Sequence, residues 1–132
     1  MKDQDQNKIQ AKNLLEEVSV ELEKCIKCGM CKNICPVFKT LREEGVSARG
    51  KSIILSEKLI SDIIFKCNLC KACEQKCPLN IKLCDSFLKA REASVLMGKE
   101  LKQNKDMIEN IRKYGTPMGK IKDGEQGKLY CC

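Results

Sequence analysis

One twelve-residue pattern is written twice in this chain, and it constrains everything else. Cys25-Ile26-Lys27-Cys28-Gly29-Met30-Cys31-Lys32-Asn33-Ile34-Cys35-Pro36 is the first copy. Cys67-Asn68-Leu69-Cys70-Lys71-Ala72-Cys73-Glu74-Gln75-Lys76-Cys77-Pro78 follows 42 residues later. Both read C-x2-C-x2-C-x3-C-P, and together they take eight of the eleven cysteines. Thiols at such regular intervals are cross-linked, bound to metal or kept reduced, and the choice among these governs both fold and function.

Disulfides fit poorly. A secreted cross-linked framework calls for an apolar signal segment, and the N-terminus, Met1 to Asn7, is polar. No stretch reaches the roughly 18 apolar residues that a membrane span requires. The thiols are therefore expected to serve as metal-bound thiolates in a reducing cytoplasm. The chain has no His, which excludes His-ligated haem, Rieske centres, Cys2His2 zinc and every Ser-His or Cys-His catalytic arrangement. Neither a G-x-G-x-x-G turn nor a phosphate-binding loop is present. With 132 residues, 4% aromatics and no Trp, an apolar core would be thin, and inorganic cross-links would reinforce it.

Apolar spacing divides the chain into short helices. Residues 1–6 are expected to fray. Ile9, Leu14, Leu15, Val18 and Leu22 fall at helical intervals, which predicts an amphipathic helix from Asn7 to Lys24, packed into the core or serving as a docking face. Pro36 suits the first turn of a helix ending near Gly45, and Ser47 suits the cap of a helix through residues 47–60. Ser61-Asp62 predicts a short turn leading to Cys67. Further helices are expected over Asp85–Gly98 and Lys99–Tyr114, the last stopped at Gly115, with a break at Thr116-Pro117-Met118-Gly119. Residues 123–127 read as a loop and Lys128–Cys132 as an opening strand, which predicts a missing continuation. The domain reading is a helix over 1–23, a core domain over 24–115 and a tail over 116–132.

Three cysteines at x2 spacing let one loop reach three corners of a cube of iron and sulfide, each iron needing one soft anionic ligand. Small Gly29 and Ala72 are expected to ease the close approach of backbone N–H groups to the sulfurs. The competing metal is zinc, but tetrahedral zinc leaves no role for a regular triplet ending in Cys-Pro. Of the remaining thiols, Cys84 reads as a small packed residue, while Cys131 and Cys132 form an adjacent pair with no assigned role. Arg49 and Arg91 are either solvated charges or positive groups beside a metal centre. The Lys residues are dispersed, without the aromatic interleaving of a nucleic-acid surface.

The doubled run resembles that of two-cluster bacterial-type ferredoxins, in which the fourth cysteine of each run ligates the other cluster. Carried to this chain, the resemblance implies two [4Fe–4S] clusters. One is held by Cys25, Cys28, Cys31 and Cys77, the other by Cys67, Cys70, Cys73 and Cys35. The formal charge of +7 would fall to about +3 once eight thiolates and two cores of about +2 each are included. The small ferredoxin fold has a much shorter spacer than the 31 residues at 36–66. The helical spacer, Ala48-Arg49-Gly50, Phe65, Cys77-Pro78-Leu79-Asn80-Ile81, Arg91 and Gly98 resemble instead the all-α, α-helical ferredoxin fold, with its clusters in loops between short helices. That fold occurs in an iron–sulfur subunit family of heterodisulfide reductase, in glycolate oxidase and lactate-utilisation iron–sulfur subunits, and in fumarate reductase and succinate dehydrogenase iron–sulfur subunits. The last type would need a [2Fe–2S] domain before Cys25. Tyr114-Gly115-Thr116-Pro117-Met118-Gly119 and Leu129-Tyr130-Cys131-Cys132 resemble the junction into the CCG domains of the glycolate oxidase type.

This resemblance implies an electron-relay subunit of an oxidoreductase complex, heterodisulfide reductase-like or glycolate oxidase-like. Its partners would be a flavoprotein, other redox subunits or a protein bearing CCG domains, and it would have no substrate-converting site of its own. It would be cytoplasmic or held at a membrane through those partners. A free-standing ferredoxin-like carrier is the alternative, and a zinc-binding interaction module the remote one.

Overall fold

The helical intervals near the N-terminus produce one long helix, α1 (Lys2–Glu23). The structure, a computed structural model, describes residues 2–120 and 124, with side chains from residue 5. The helix begins at Lys2 rather than Asn7, because no Gly or Pro interrupts the stretch that was expected to fray. Its buried face is Ala11, Leu15, Val18, Ser19 and Leu22, whereas Ile9 is 61% exposed. Ser19 is buried without penalty because its hydroxyl donates to the Ser56 carbonyl at 2.9 Å.

Short helices follow in chain order. They are α2 (Met30–Asn33), α3 (Pro36–Leu41), α4 (Ala48–Ser56), α5 (Ala72–Gln75), α6 (Leu83–Leu96) and α7 (Lys102–Tyr114). Single 3-10 turns cover Glu44–Val46 and Asp62–Lys66. The architecture is all-α among the described residues, as the helical spacer predicts. Pro36 occupies the first turn of α3. That helix stops at Leu41, with Arg42 left-handed at φ 59°, and not at Gly45, which lies inside the next 3-10 turn. Ser47 caps α4, its Oγ accepting from the Gly50 N–H at 2.9 Å. Gly115, at φ 72°, ends α7. The strand expected over Lys128–Cys132 and the adjoining loop lie outside the described residues, apart from Gly124.

The described chain divides into two units, 1–98 and 99 onward. In the first, α1 packs along α6 and against α4. Val18, Leu22, Leu55, Ile64, Ile81, Leu83 and Phe87 form its core, and Cys31, Cys73 and Cys84 are buried members of the same cluster. Surface ion pairs Lys89–Glu17 (2.7 Å) and Lys58–Glu16 (2.5 Å) join α1 to its neighbours. The second unit contains α7, which leaves Ile108, Ile111 and Tyr114 exposed. Among the described residues, no helix is long and apolar enough to cross a membrane.

Candidate metal centres

The two cysteine runs share one backbone path. Lys27 and its counterpart Leu69 have φ of 59° and 55°, and Gly29 and its counterpart Lys71 have φ of 82° and 59°. Each run then makes a single helical turn, α2 or α5, that ends just before the fourth cysteine. A left-handed L-residue costs about 1–2 kcal/mol, so Lys27, Leu69 and Lys71 hold strain at the site. Left-handed residues of this kind can turn neighbouring N–H groups toward one centre, as in an anion-binding nest. The Leu69 N–H accordingly donates to Cys67 Sγ at 3.4 Å. Gly29 lines the first pocket at φ 82°, and a Cβ there would lie 3.1 Å from Arg49 Nη1. Ala72 lines the second pocket at the start of α5, and the position equivalent to Gly29 is Lys71.

The eight motif thiols gather around two separate pockets. Cys25, Cys28, Cys31 and Cys77 line the first, together with Arg49, Leu79 and Ile81. Cys35, Cys67, Cys70 and Cys73 line the second, together with Ala48, Lys51 and Cys84. In each pocket three thiols come from one run and the fourth from the other. Among the described residues, no three Cys, Asp or Glu side chains converge tightly enough for a single ion. Thiols spread around a hollow suit a group that offers several separate metal corners.

Burial keeps Cys31 and Cys73 protonated until a metal displaces their protons. Cys31 is pushed up to about 11, first by burial and then by the neighbouring Cys25. Cys73 is pushed further up, again chiefly by burial and then by Cys84. Soft-metal coordination supplies the charge that ionises them, so loading releases protons. Cys28 and Cys70 are exposed, which brings one corner of each pocket to the surface.

Cations surround the pockets in different ways. At the first, Arg49 Nη2 pairs with Glu44 Oε1 at 2.7 Å, and Lys32 pairs with Glu44 Oε2 at 2.6 Å. Arg91 is neither a free surface charge nor a pocket-lining group. Its Nε donates to the Ile64 carbonyl at 3.0 Å, and Nη2 donates to the carbonyls of Phe65, at 3.3 Å, and Cys67. It thereby fixes the chain that enters the second run. Lys51 escaped the sequence reading. It is 1% exposed, and its Nζ donates to the Val46 carbonyl. Burial lowers its pKa below the ordinary lysine value, while the thiols Cys67, Cys35 and Cys73 pull the other way. The missed signal was helical spacing: Ala48, Lys51, Ser52 and Leu55 form the buried face of α4. Cys84 is packed, as expected, but it packs at the second pocket and not elsewhere in the core. A hollow of about 850 Å³ between α1 and α6 is lined by Glu16, Glu17, Glu21, Asp85, Lys82 and Lys89 and by no thiol.

Helical loops that present two sets of four thiols define an iron–sulfur, ferredoxin-like domain. Residues 21–81, a little under half of the chain, match the family model described as the 4Fe-4S dicluster domain. The chain carries such a domain on an all-α scaffold, and its chemistry is iron–sulfur electron transfer. No curated protein matches the chain.

Proposed function

We propose that this chain holds two [4Fe–4S] clusters in crossed ligand sets and relays single electrons within an oxidoreductase complex of the heterodisulfide reductase or glycolate oxidase type. The observation that carries the reading is the grouping of thiols. Cys25, Cys28 and Cys31 share a pocket with Cys77, and Cys67, Cys70 and Cys73 share one with Cys35. Each cluster would supply a one-electron couple. The chain supplies the ligands, the Leu69 N–H that donates to Cys67 Sγ and the cations, and substrate conversion falls to partner proteins such as a flavoprotein. Exposed Ile26, Met30 and Leu79 at the rim of the first pocket favour a protein partner there. The apolar stripe of α1 gives no such support, because it is spent on α6 and α4 of the same unit.

Iron and sulfide analysis of anaerobically purified protein tests the loading. About eight of each per chain are expected from two cubes, and four would overturn the two-cluster reading. Paired substitutions test the crossing. Cys28→Ser with Cys77→Ser should disable one site and leave about half of the iron, whereas Cys28→Ser with Cys35→Ser should disable both. The reverse pattern would assign each fourth cysteine to its own run. Co-purification from the native host with a stable flavoprotein is the expected result for a member of a complex, and its failure favours the free carrier.

A further inference from the structure

The two pockets repeat the same loop but not the same surroundings. At the first, Arg49 and Lys32 share one carboxylate, Glu44, Arg49 through Nε at 2.8 Å and Nη2 at 2.7 Å and Lys32 at 2.6 Å. All three side chains reach solvent, which screens their fields. At the second pocket, the cation is Lys51, buried and hydrogen-bonded to a neutral carbonyl, so its field is neither cancelled by that partner nor exposed to water. Arg91, whose Nη2 donates to the carbonyl of Cys67, adds to the positive field at this site. Cys84 lies outside both runs, is 1% exposed and lines the second pocket together with Cys73. Once Cys73 is a thiolate ligand, a neighbouring S–H can serve it only as a donor. Glu74 opposes these groups. It is partly exposed, however, and its carboxylate accepts the Cys84 N–H at 2.7 Å.

Reduction adds one negative charge to a site. Nearby positive charge and hydrogen bonds to the ligand sulfurs favour that state. We infer that Lys51 and Cys84 make the second site, that of Cys67, Cys70, Cys73 and Cys35, the higher-potential centre, and so direct electrons from the first site to the second. One electron leaves the first site, which is oxidised, and arrives at the second, which is reduced. No bond forms or breaks, and no proton needs to move. Lys51 and Cys84 are positioning residues in this scheme, since the thiols alone bind the cofactor. The inference rests on the two-cluster reading above.

A redox titration followed by electron paramagnetic resonance tests it on the fully loaded chain, with dithionite as reductant. The wild type should give two one-electron midpoints. Lys51→Met should lower the higher midpoint, with about a tenfold loss in the ratio of reduced to oxidised centre at the original midpoint. That loss corresponds to about 59 mV for a one-electron couple. The lower midpoint should stay in place, and Lys51→Arg should restore the higher one. Cys84→Ala should move the same midpoint in the same direction, and it decides the question if Lys51→Met fails to load. Movement of the lower midpoint, or of neither, overturns the inference. Iron content keeps the two readings apart. A wild type with four irons strikes down the two-cluster reading, whereas eight irons with the wrong midpoint moving strikes down only the order of potentials.

Discussion

Gly50 shows how tightly one position is specified. Its φ is unexceptional, and what it needs is room. An added Cβ would sit 2.1 Å from the Glu44 carbonyl oxygen and 2.8 Å from its carbon, both backbone atoms that cannot swing aside. Gly50→Ala must therefore push the 3-10 turn at Glu44–Val46 away from α4. Overpacking of this kind costs about 1–3 kcal/mol. The expected outcome is a lower urea midpoint with an unchanged slope, measured by circular dichroism. Displacement of Val46 would also disturb Lys51, which bonds to its carbonyl. Nothing in the apolar spacing marks Gly50. The resemblance singled out Ala48-Arg49-Gly50 as a unit, and the structure supplies the reason: Ala48 and Gly50 are buried while Arg49 reaches the first pocket.

Between elements, Glu44 acts as a clasp. Lys32 of α2 and Arg49 of α4 both pair with it, which ties the first cysteine run to the spacer. Its carboxyl is held below its ordinary value, first by the Lys32 hydrogen bond, which burial opposes, and then by Arg49. The sign follows from that depression. The clasp contributes fully above the ordinary pKa of 4.5 and is lost as pH falls through the lower folded value. The side chain of Glu44 is 42% exposed, so the contribution is that of a surface pair, about 0.2–1 kcal/mol. Glu44→Gln should melt slightly below the wild type at pH 6, and the gap should narrow as melts are taken below pH 4.5 and close under the lower folded value. A gap that widens on acidification would contradict the assignment. Helical periodicity made α1, α4, α6 and α7 legible in the sequence. It misjudged which residues α1 and the helix expected over 47–60 bury: Ala11 and Lys51 are inside, Ile9 is exposed, and so is Leu59, which lies beyond the end of α4 at Ser56. Burial follows the direction in which a side chain points, and on a short helix that direction can carry a lysine inward with its aliphatic stem among apolar neighbours.

Across the first unit, metal sites and core are one structure. Cys31, Cys73 and Cys84 belong to the same buried cluster as Val18, Leu22 and Phe87, and Cys25, Cys67 and Cys77 pack against it. Removing iron would leave buried, protonated thiols and release the strained loops at Lys27, Leu69 and Lys71. Metal binding and folding are therefore coupled. Anaerobic chelation of the iron should lower the melting temperature and increase dye binding to exposed apolar surface. Retention of the native melting curve after full loss of iron would show that the core stands alone.

The cysteine spacing, the missing His and the helical spacer were sufficient to indicate iron–sulfur chemistry on an all-α scaffold, because ligand type and interval are local properties of a chain. Which thiols share a pocket was available beforehand only by resemblance, since it depends on how residues 36–66 bring two distant runs together. The charge around each pocket was hidden for the same reason. Lys51 looks like any surface lysine until α4 turns it inward, and Arg91 looks like any helix cation until α6 lays it across the carbonyls before Cys67. Ligand identity is written along the chain, whereas the field that distinguishes one pocket from the other arises only where separate segments meet.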